Sequence, residues 1–257
     1  MDLNLRGTCA LITGAAGGIG QALARDFARE GVNLSLGYHS KPCSTLVAEI
    51  EQTGIRVMSH QLDVSQAESV ESFVEAGHAE FGRIDILVNN AGIGFPGPTD
   101  EIDEQDWDHV LAVNLKSVFL MSKAVIKYMK QQNYGRIINI GSVVAKTSTN
   151  AQPWLDPHSS KKVGGGAYAA SKAGVHALTK TMAKELVIHN ITVNCVAPGP
   201  VRTNMVPSLP EPIKKQLPVG RIGLPEEVSA FVILLASPRA AFVTGEIIDV
   251  NGGLWMD

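Results

Sequence analysis

The sequence predicts an α/β fold, a doubly wound parallel sheet of about seven strands with helices on both faces, formed by residues 1–257 as one domain. Three observations carry this reading. Short apolar runs alternate with amphipathic segments of helix length along the whole chain, the rhythm of βαβ units whose right-handed crossovers lay strands parallel. The first apolar run leads directly into a glycine-rich turn and a helix. A hydrophobic content of 45% over this length is enough to bury one large core.

Taken in order, residues 9–13 form the first strand, Gly14-Ala15-Ala16-Gly17-Gly18-Ile19-Gly20 the turn, and residues 21–30 the helix. Bare glycine backbone admits a phosphate closely, and a helix N-terminus offers N–H donors and the positive end of a dipole. The spacing of Gly14, Gly18 and Gly20 is not the G-x-G-x-x-G of the common dinucleotide fingerprint. Further strands are predicted at 32–38, 55–61, 84–89, 136–140, 191–197 and 246–250. Ser65 with Glu68 reads as a capping box, Asp103 as the cap of the helix containing Trp107, and Pro225 with Glu226 and Glu227 as the first turn of a late helix. In such sheets ligands gather beyond the C-terminal strand ends. Asn89-Asn90-Ala91-Gly92, Ser142 and Pro198-Gly199 all fall there.

The net charge of −3 and the lack of any Lys or Arg cluster beyond Lys161-Lys162 and Lys214-Lys215 point away from nucleic acid and membrane surfaces. The start of the chain has no basic, apolar leader, and no window approaches about 20 consecutive apolar residues. Three scattered cysteines, Cys9, Cys43 and Cys195, fit reduced thiols and a cytoplasmic setting. No metal site is predicted.

The most informative pair is Tyr168 and Lys172, in Ala167-Tyr168-Ala169-Ala170-Ser171-Lys172-Ala173-Gly174. Residues four apart share a helix face. An ammonium beside a phenol favours the phenolate, so a tyrosine titrating near about 10 in water is expected to exchange protons nearer neutrality.

Together, the glycine turn behind Thr13, Asn89 to Gly92, Asn114 in Val113-Asn114-Leu115, Ser142 after Ile138-Asn139-Ile140-Gly141, the Tyr168/Lys172 pair and Pro198-Gly199 resemble the short-chain dehydrogenase/reductase family from Leu11 to Gly253. The resemblance implies a Rossmann-type fold and hydride transfer between a nicotinamide cofactor and a ketone or secondary alcohol. It implies a catalytic tetrad of Asn114, Ser142, Tyr168 and Lys172: Tyr168 as acid or base, Ser142 on the carbonyl oxygen, Lys172 on the tyrosine and the nicotinamide ribose, and Asn114 steadying a water beside Lys172. It places Gly14, Gly18, Ile19 and Gly20 at the pyrophosphate, Asp63 and Val64 at the adenine, and Asn90, Ala91 and Gly92 beneath the ribose. Pro198, Gly199, Val201 and Thr203 fall on the nicotinamide side, while Thr13 supports the turn.

The end of the second strand, Tyr38-His39-Ser40-Lys41, decides between NAD and NADP. No Asp or Glu occurs between Gly31 and Lys41 to bind a ribose 2′-OH, so NADP is favoured, with Ser40, Lys41 and His39 at the phosphate. Gly17 departs from the Arg or Lys that many NADP-using relatives carry there. Within the family the chain looks closest to β-ketoacyl-carrier-protein reductases, through Asn139-Ile140-Gly141-Ser142-Val143-Val144 and Val250-Asn251-Gly252-Gly253-Leu254-Trp255-Met256. A 3-oxoacyl thioester or other small carbonyl is the implied substrate. The alternatives are an NAD-dependent polyol, sugar or hydroxy-compound dehydrogenase, or a dinucleotide-sensing binding protein without turnover. Docking of an acidic acyl carrier protein would fall to Lys127, Lys130 and Lys184, diluted by Gln131-Gln132-Asn133. The resemblance also implies a homotetramer built on helices at 106–131 and 167–189. Val118, Phe119, Met121, Val175, Leu178 and Met182 fit either core or interface there. Finally, 25 residues lie between Ser142 and Tyr168 where about a dozen is usual in relatives, so residues 146–166 read as an insertion, with Trp154 expected at the substrate and Ser142 and Tyr168 beside it.

Overall fold

The computed structural model describes residues 2–94, 99–148, 165–203, 206, 208–209, 211–215 and 217–256, the side chains of 212 and 213 excepted. Seven strands, β1 (Cys9–Thr13), β2 (Asn33–Tyr38), β3 (Val57–Gln61), β4 (Ile86–Asn89), β5 (Gly135–Ile140), β6 (Ile191–Pro198) and β7 (Ile247–Val250), form one sheet in the order β3-β2-β1-β4-β5-β6-β7. Every pairing is parallel. Buried parallel strands read as near-continuous apolar runs, which is why the sequence locates all seven to within about two residues.

Alternate residues of each strand face opposite sides. Ala10 and Ile12 of β1 join Leu34 and Leu36 of β2 in a core covered by α1 (Gly18–Arg29), α2 (Ser44–Glu51) and α9 (Pro225–Ala236). Cys9 and Leu11 face the other core, covered by α3 (Ala67–Phe81), α5 (Ser117–Gln132) and α7 (Gly166–Leu186). All three cysteines are buried as free thiols.

The first helix starts at Gly18, three residues earlier than the sequence reading, so the glycines are part of its first turn. Asp103 caps α4 (Glu104–Leu111) by accepting from Asp106 N at 2.8 Å. Pro225 opens α9, and Glu227 accepts from Leu224 N at 2.7 Å. The expected capping box at Ser65 is not formed. Ser65 N and Oγ both donate to Asp63 Oδ1, at 2.9 and 2.7 Å, and α3 starts after Gln66 instead. Two further short helices among the described residues are α6 (Val144–Thr147) and α8 (Glu211–Lys214).

Between α4 and α5 the helix widens into a π turn over Ala112–Lys116, carrying Asn114. The run Glu104–Gln132 meets a membrane-span test by length and composition alone, as core helices of folded proteins also do. Its Val110, Val118, Met121, Val125 and Met129 are buried in the protein. The core-or-interface ambiguity also resolves by residue: Val118, Met121, Val175 and Met182 are core, Leu178 packs at its edge, and Phe119 is exposed.

Candidate active site

The strand order reverses between β1 and β4, and the crevice beyond their C-terminal ends is where an open α/β sheet can bind a ligand. Gly14 turns the chain there at φ +65°, and a Cβ on it would lie 2.9 Å from Ala91 Cα. Thr13 ties the two strand ends together. Its Oγ1 accepts from Asn90 N and Ala91 N at 3.0 Å each, and Asn90 Nδ2 donates to Thr13 O and Gly14 O at 2.9 and 3.1 Å. A Cβ on Gly20 would meet Gly14 O at 2.4 Å and Ala15 Cα at 2.7 Å, and one on Gly18 would meet Thr203 Cγ2 at 2.9 Å. The first turn of α1 has no acidic residue, and its N-cap Gly17 offers no side chain. Its leading N–H groups, which lack intrahelical partners, therefore suit an anion.

A cleft of about 490 Å³ runs from this turn to Tyr168. It is lined by Gly14, Gly18, Ile19, Gly20, Tyr38, His39, Ser40, Lys41, Asn90, Ala91, Gly92, Ser142, Tyr168, Lys172, Pro198, Gly199, Val201 and Thr203, all named from the sequence. Its lining also includes Ala16, Gly17, Ile140, Gly141, Pro200 and Val206, which sequence reasoning left out. Gly17 lies in the glycine turn and Gly141 in Ile138-Asn139-Ile140-Gly141, so their place in these motifs is the signal for them. No comparable signal marks Val206.

Three expected site residues lie off this lining. Asp63 is engaged with Ser65, and that side-chain hydrogen bond holds its carboxyl below the usual range. Val64 is buried as an apolar residue. Asn114 sits behind the cleft, wholly buried: its Oδ1 accepts from Ile93 N at 2.8 Å, and its Nδ2 donates to Ile93 O at 2.9 Å and Ser171 Oγ at 3.1 Å. It thus holds the strand-end segment at Ile93 against α7. Trp154 and residues 149–164 of the insertion expected at 146–166 lie outside the described residues.

Helix α7 is fixed to the sheet by a polar chain: Asn89 Nδ2 donates to Asn139 Oδ1 at 2.8 Å, and Asn139 Nδ2 to Thr179 Oγ1 at 2.9 Å. This sets the height of Tyr168 and Lys172. Ser142 Oγ accepts from Val144 N at 3.2 Å and shares a hydrogen bond with the Tyr168 hydroxyl. Burial raises the Tyr168 pKa above the usual phenol value, and the Ser142 bond works against that rise. The lowering influence on the phenol is therefore Ser142, whereas the sequence pointed to Lys172. The Lys172 ammonium lies 5.8 Å from the Tyr168 ring centroid and donates to Ile140 O at 2.7 Å. Burial brings its own pKa down to about 8.

The residues fit a dinucleotide. Glycine backbone and a helix N-terminus form one end of the cleft, His39, Ser40 and Lys41 stand exposed at the tip of β2, whose residues 32–41 include no Asp or Glu, and a hydrogen-bonded Ser–Tyr pair forms the other end.

Comparison with known proteins agrees with this geometry. A family model described as Enoyl-(Acyl carrier protein) reductase matches residues 14–255. The chain is 42% identical to the 3-oxoacyl-[acyl-carrier-protein] reductase FabG of Thermotoga maritima, over 98% of this chain and 99% of that protein. It is 38% identical to the FabG reductase of Escherichia coli K12, over 99% and 100%. Among solved structures, a short-chain dehydrogenase/reductase from Serratia marcescens superposes with a TM-score of 0.88 at 34% identity, covering 97% of this chain and 98% of that one. The structure titled gox2181 superposes at 0.91 with 31% identity, covering 98% and 97%.

Proposed function

Because the chain belongs to the short-chain dehydrogenase/reductase family, and so is an oxidoreductase that works with a nicotinamide cofactor on the ketone/secondary-alcohol pair, we propose that it uses NADP(H) and reduces a 3-oxoacyl thioester or similar small ketone. The observation that carries the reaction is the Ser142–Tyr168 hydrogen bond at the edge of the cleft, with Lys172 one helical turn on. When bound, the nicotinamide supplies the hydride.

The protein supplies the rest. Tyr168 gives a proton to the substrate oxygen, and its raised pKa keeps it protonated at neutral pH. Ser142 holds the same oxygen as negative charge builds on it. Lys172, anchored on Ile140 O, brings a positive charge near the ring of Tyr168 and lines the cleft where a ribose would lie. Asn114 holds Ile93 and Ser171 in place behind them.

The preference for NADP rests on the tip of β2. Ser40 and Lys41 are hydrogen-bonding and cationic, and residues 32–41 contain no carboxylate to repel a 2′-phosphate. The 3-oxoacyl substrate rests on the named relatives. The acyl portion would be carried by an acyl carrier protein or a smaller thiol, and the protein works as a homotetramer. The test is steady-state oxidation of NADPH and NADH on adding a 3-oxoacyl thioester and a panel of plain ketones, with sizing of the oligomer in solution. Turnover of the thioester with NADPH at least about tenfold above NADH in kcat/KM is expected, a gap of roughly 1.4 kcal/mol. Tight NADPH binding without turnover on any ketone would leave the sensing-protein reading instead.

A further inference from the structure

The turn carrying Ser142 is fastened to the sheet on its near side by main-chain bonds, Gly141 N to Val196 O at 2.8 Å and Val143 N to Pro198 O at 2.9 Å. Beyond Ser142 the chain leaves the sheet as α6, a single turn with no buried residue of its own, which packs on α7 and ends at Ser148 with φ +63°. So short a helix has little intrinsic stability. Its far side is held by an ion pair across the molecule. Lys146 Nζ donates to Asp249 Oδ2 at 2.6 Å, both side chains largely withdrawn from water at 14% and 20% exposure, over a sequence separation of 103 residues.

Asp249 lies on β7 opposite Ala197 of β6, one position before the Pro198 whose carbonyl holds Val143. The two attachments therefore close a ring: β6 to Val143, through α6 to Lys146, across to Asp249 on β7, and back through the sheet. The first residue of α6 is Val144, and its N–H is the group that donates to Ser142 Oγ. A tilt of α6 moves that N–H and turns the serine hydroxyl relative to Tyr168.

From this geometry we infer that Lys146 and Asp249 are a positioning pair that aligns Ser142 with Tyr168. Neither touches the reacting atoms in this account, which rests on the reductase reading above. Removing one partner of the 2.6 Å pair cuts this tie between α6 and β7, and α6, a single turn with no buried residue, is the element that responds. Small displacements of aligned groups cost rate before they cost folding.

The test compares wild type with Lys146→Met, Asp249→Asn, the double variant Lys146→Met/Asp249→Asn, and Lys146→Arg. Each single neutralisation is expected to lower kcat for NADPH-dependent ketone reduction about tenfold, leave the NADPH dissociation constant within about twofold, and raise the pH at which Tyr168 titrates, because the Ser142 bond that favours the phenolate is weakened. The double variant should lose about as much as either single, and Lys146→Arg should recover most of the activity. Singles that lose thermal stability yet keep kcat and the Tyr168 titration would overturn the pair's role. So would a rise in ketone KM with kcat unchanged, which would make Lys146 a substrate contact. The phenol titration, followed by ultraviolet difference against Tyr168→Phe, requires no turnover. It therefore decides the pair even if no ketone is reduced, in which case the reductase reading alone fails.

Discussion

Lys172 donates through its ammonium to the main-chain oxygen of Ile140 at 2.7 Å, so helix α7 is anchored to the strand that ends two residues before Ser142. The same ammonium lies 5.8 Å from the centre of the Tyr168 ring. A buried lysine donating to the carbonyl of Ile140 carries its charge at a cost, and its pKa falls to about 8 accordingly.

That cost has a sign in stability. In the unfolded chain Lys172 titrates near 10.5 and in the folded protein near 8, so between these values the unfolded state binds more protons and stability rises with pH. Below about 8 both states are protonated and above about 10.5 neither is. Chemical denaturation of wild type and Lys172→Met across this range should show wild type gaining relative to the variant as pH rises from 8 toward 10.5, by no more than about 1.4 kcal/mol per pH unit. A constant difference between the two proteins would mean that Lys172 is not held with a depressed pKa.

Gly20→Ala should damage both folding and nucleotide binding. The new methyl would sit 2.4 Å from Gly14 O and 2.7 Å from Ala15 Cα, backbone that can yield only by reshaping the turn. A loss of roughly 1–3 kcal/mol in denaturation and a weakening of NADPH binding by about tenfold or more are expected. Gly17→Ala is the control, since its methyl would meet only Gly14 O at 3.4 Å and its φ of −79° suits any residue. Equal behaviour of the two variants in isothermal titration would count against the cradle.

Much of this was legible in the sequence, for physical reasons that can be named. The seven strands show because parallel strands are apolar on both faces, and Asp103 and Pro225 show because caps and first turns are local chemistry. Where local chemistry competes, the reading fails. Ser65 is spent on Asp63, two residues back, and is lost as a cap, while Asp63 itself is engaged there and is not among the residues lining the cleft. The π turn at Asn114 spans only Ala112–Lys116, too short a stretch to show in periodicity. Contacts between distant segments are the least visible: Lys172 with Ile140 O and Lys146 with Asp249 join residues that no spacing rule connects.

Tyr38→Asp should redirect the cofactor. Tyr38 ends β2 and lines the cleft beside His39, Ser40 and Lys41, so on the proposed NADP reading a carboxylate there would stand at the ribose-reading end of the cleft. Repulsion of a 2′-phosphate and acceptance of a 2′-OH should move the NADPH to NADH preference by at least about tenfold toward NADH. Fluorescence titration with both cofactors checks it. A wild type that binds NADH more tightly than NADPH would already contradict the assignment.

Ser142→Ala should raise the pH at which Tyr168 titrates, because the bond opposing the burial effect is removed. In the reduction direction Tyr168 must be protonated, so the alkaline fall in rate should move to higher pH while the maximal rate drops by about 10²-fold with the loss of a donor to the developing oxyanion. A pH–rate profile of kcat with a saturating ketone reads both effects. An alkaline limb in the wild-type position would separate Ser142 from the tyrosine.

The most direct measurement is single turnover of the preformed NADPH complex, wild type against Tyr168→Phe, mixed with a 3-oxoacyl thioester and followed by loss of reduced-nicotinamide absorbance. The substitution removes one hydroxyl at the edge of the cleft and leaves the ring, and Tyr168 is one of the two groups in the Ser142–Tyr168 hydrogen bond. Unchanged NADPH affinity and oligomeric state, with a chemical step slowed by roughly 10²-fold or more, are expected. A variant that retains half the wild-type rate in that step would contradict the assignment of Tyr168 as the proton donor.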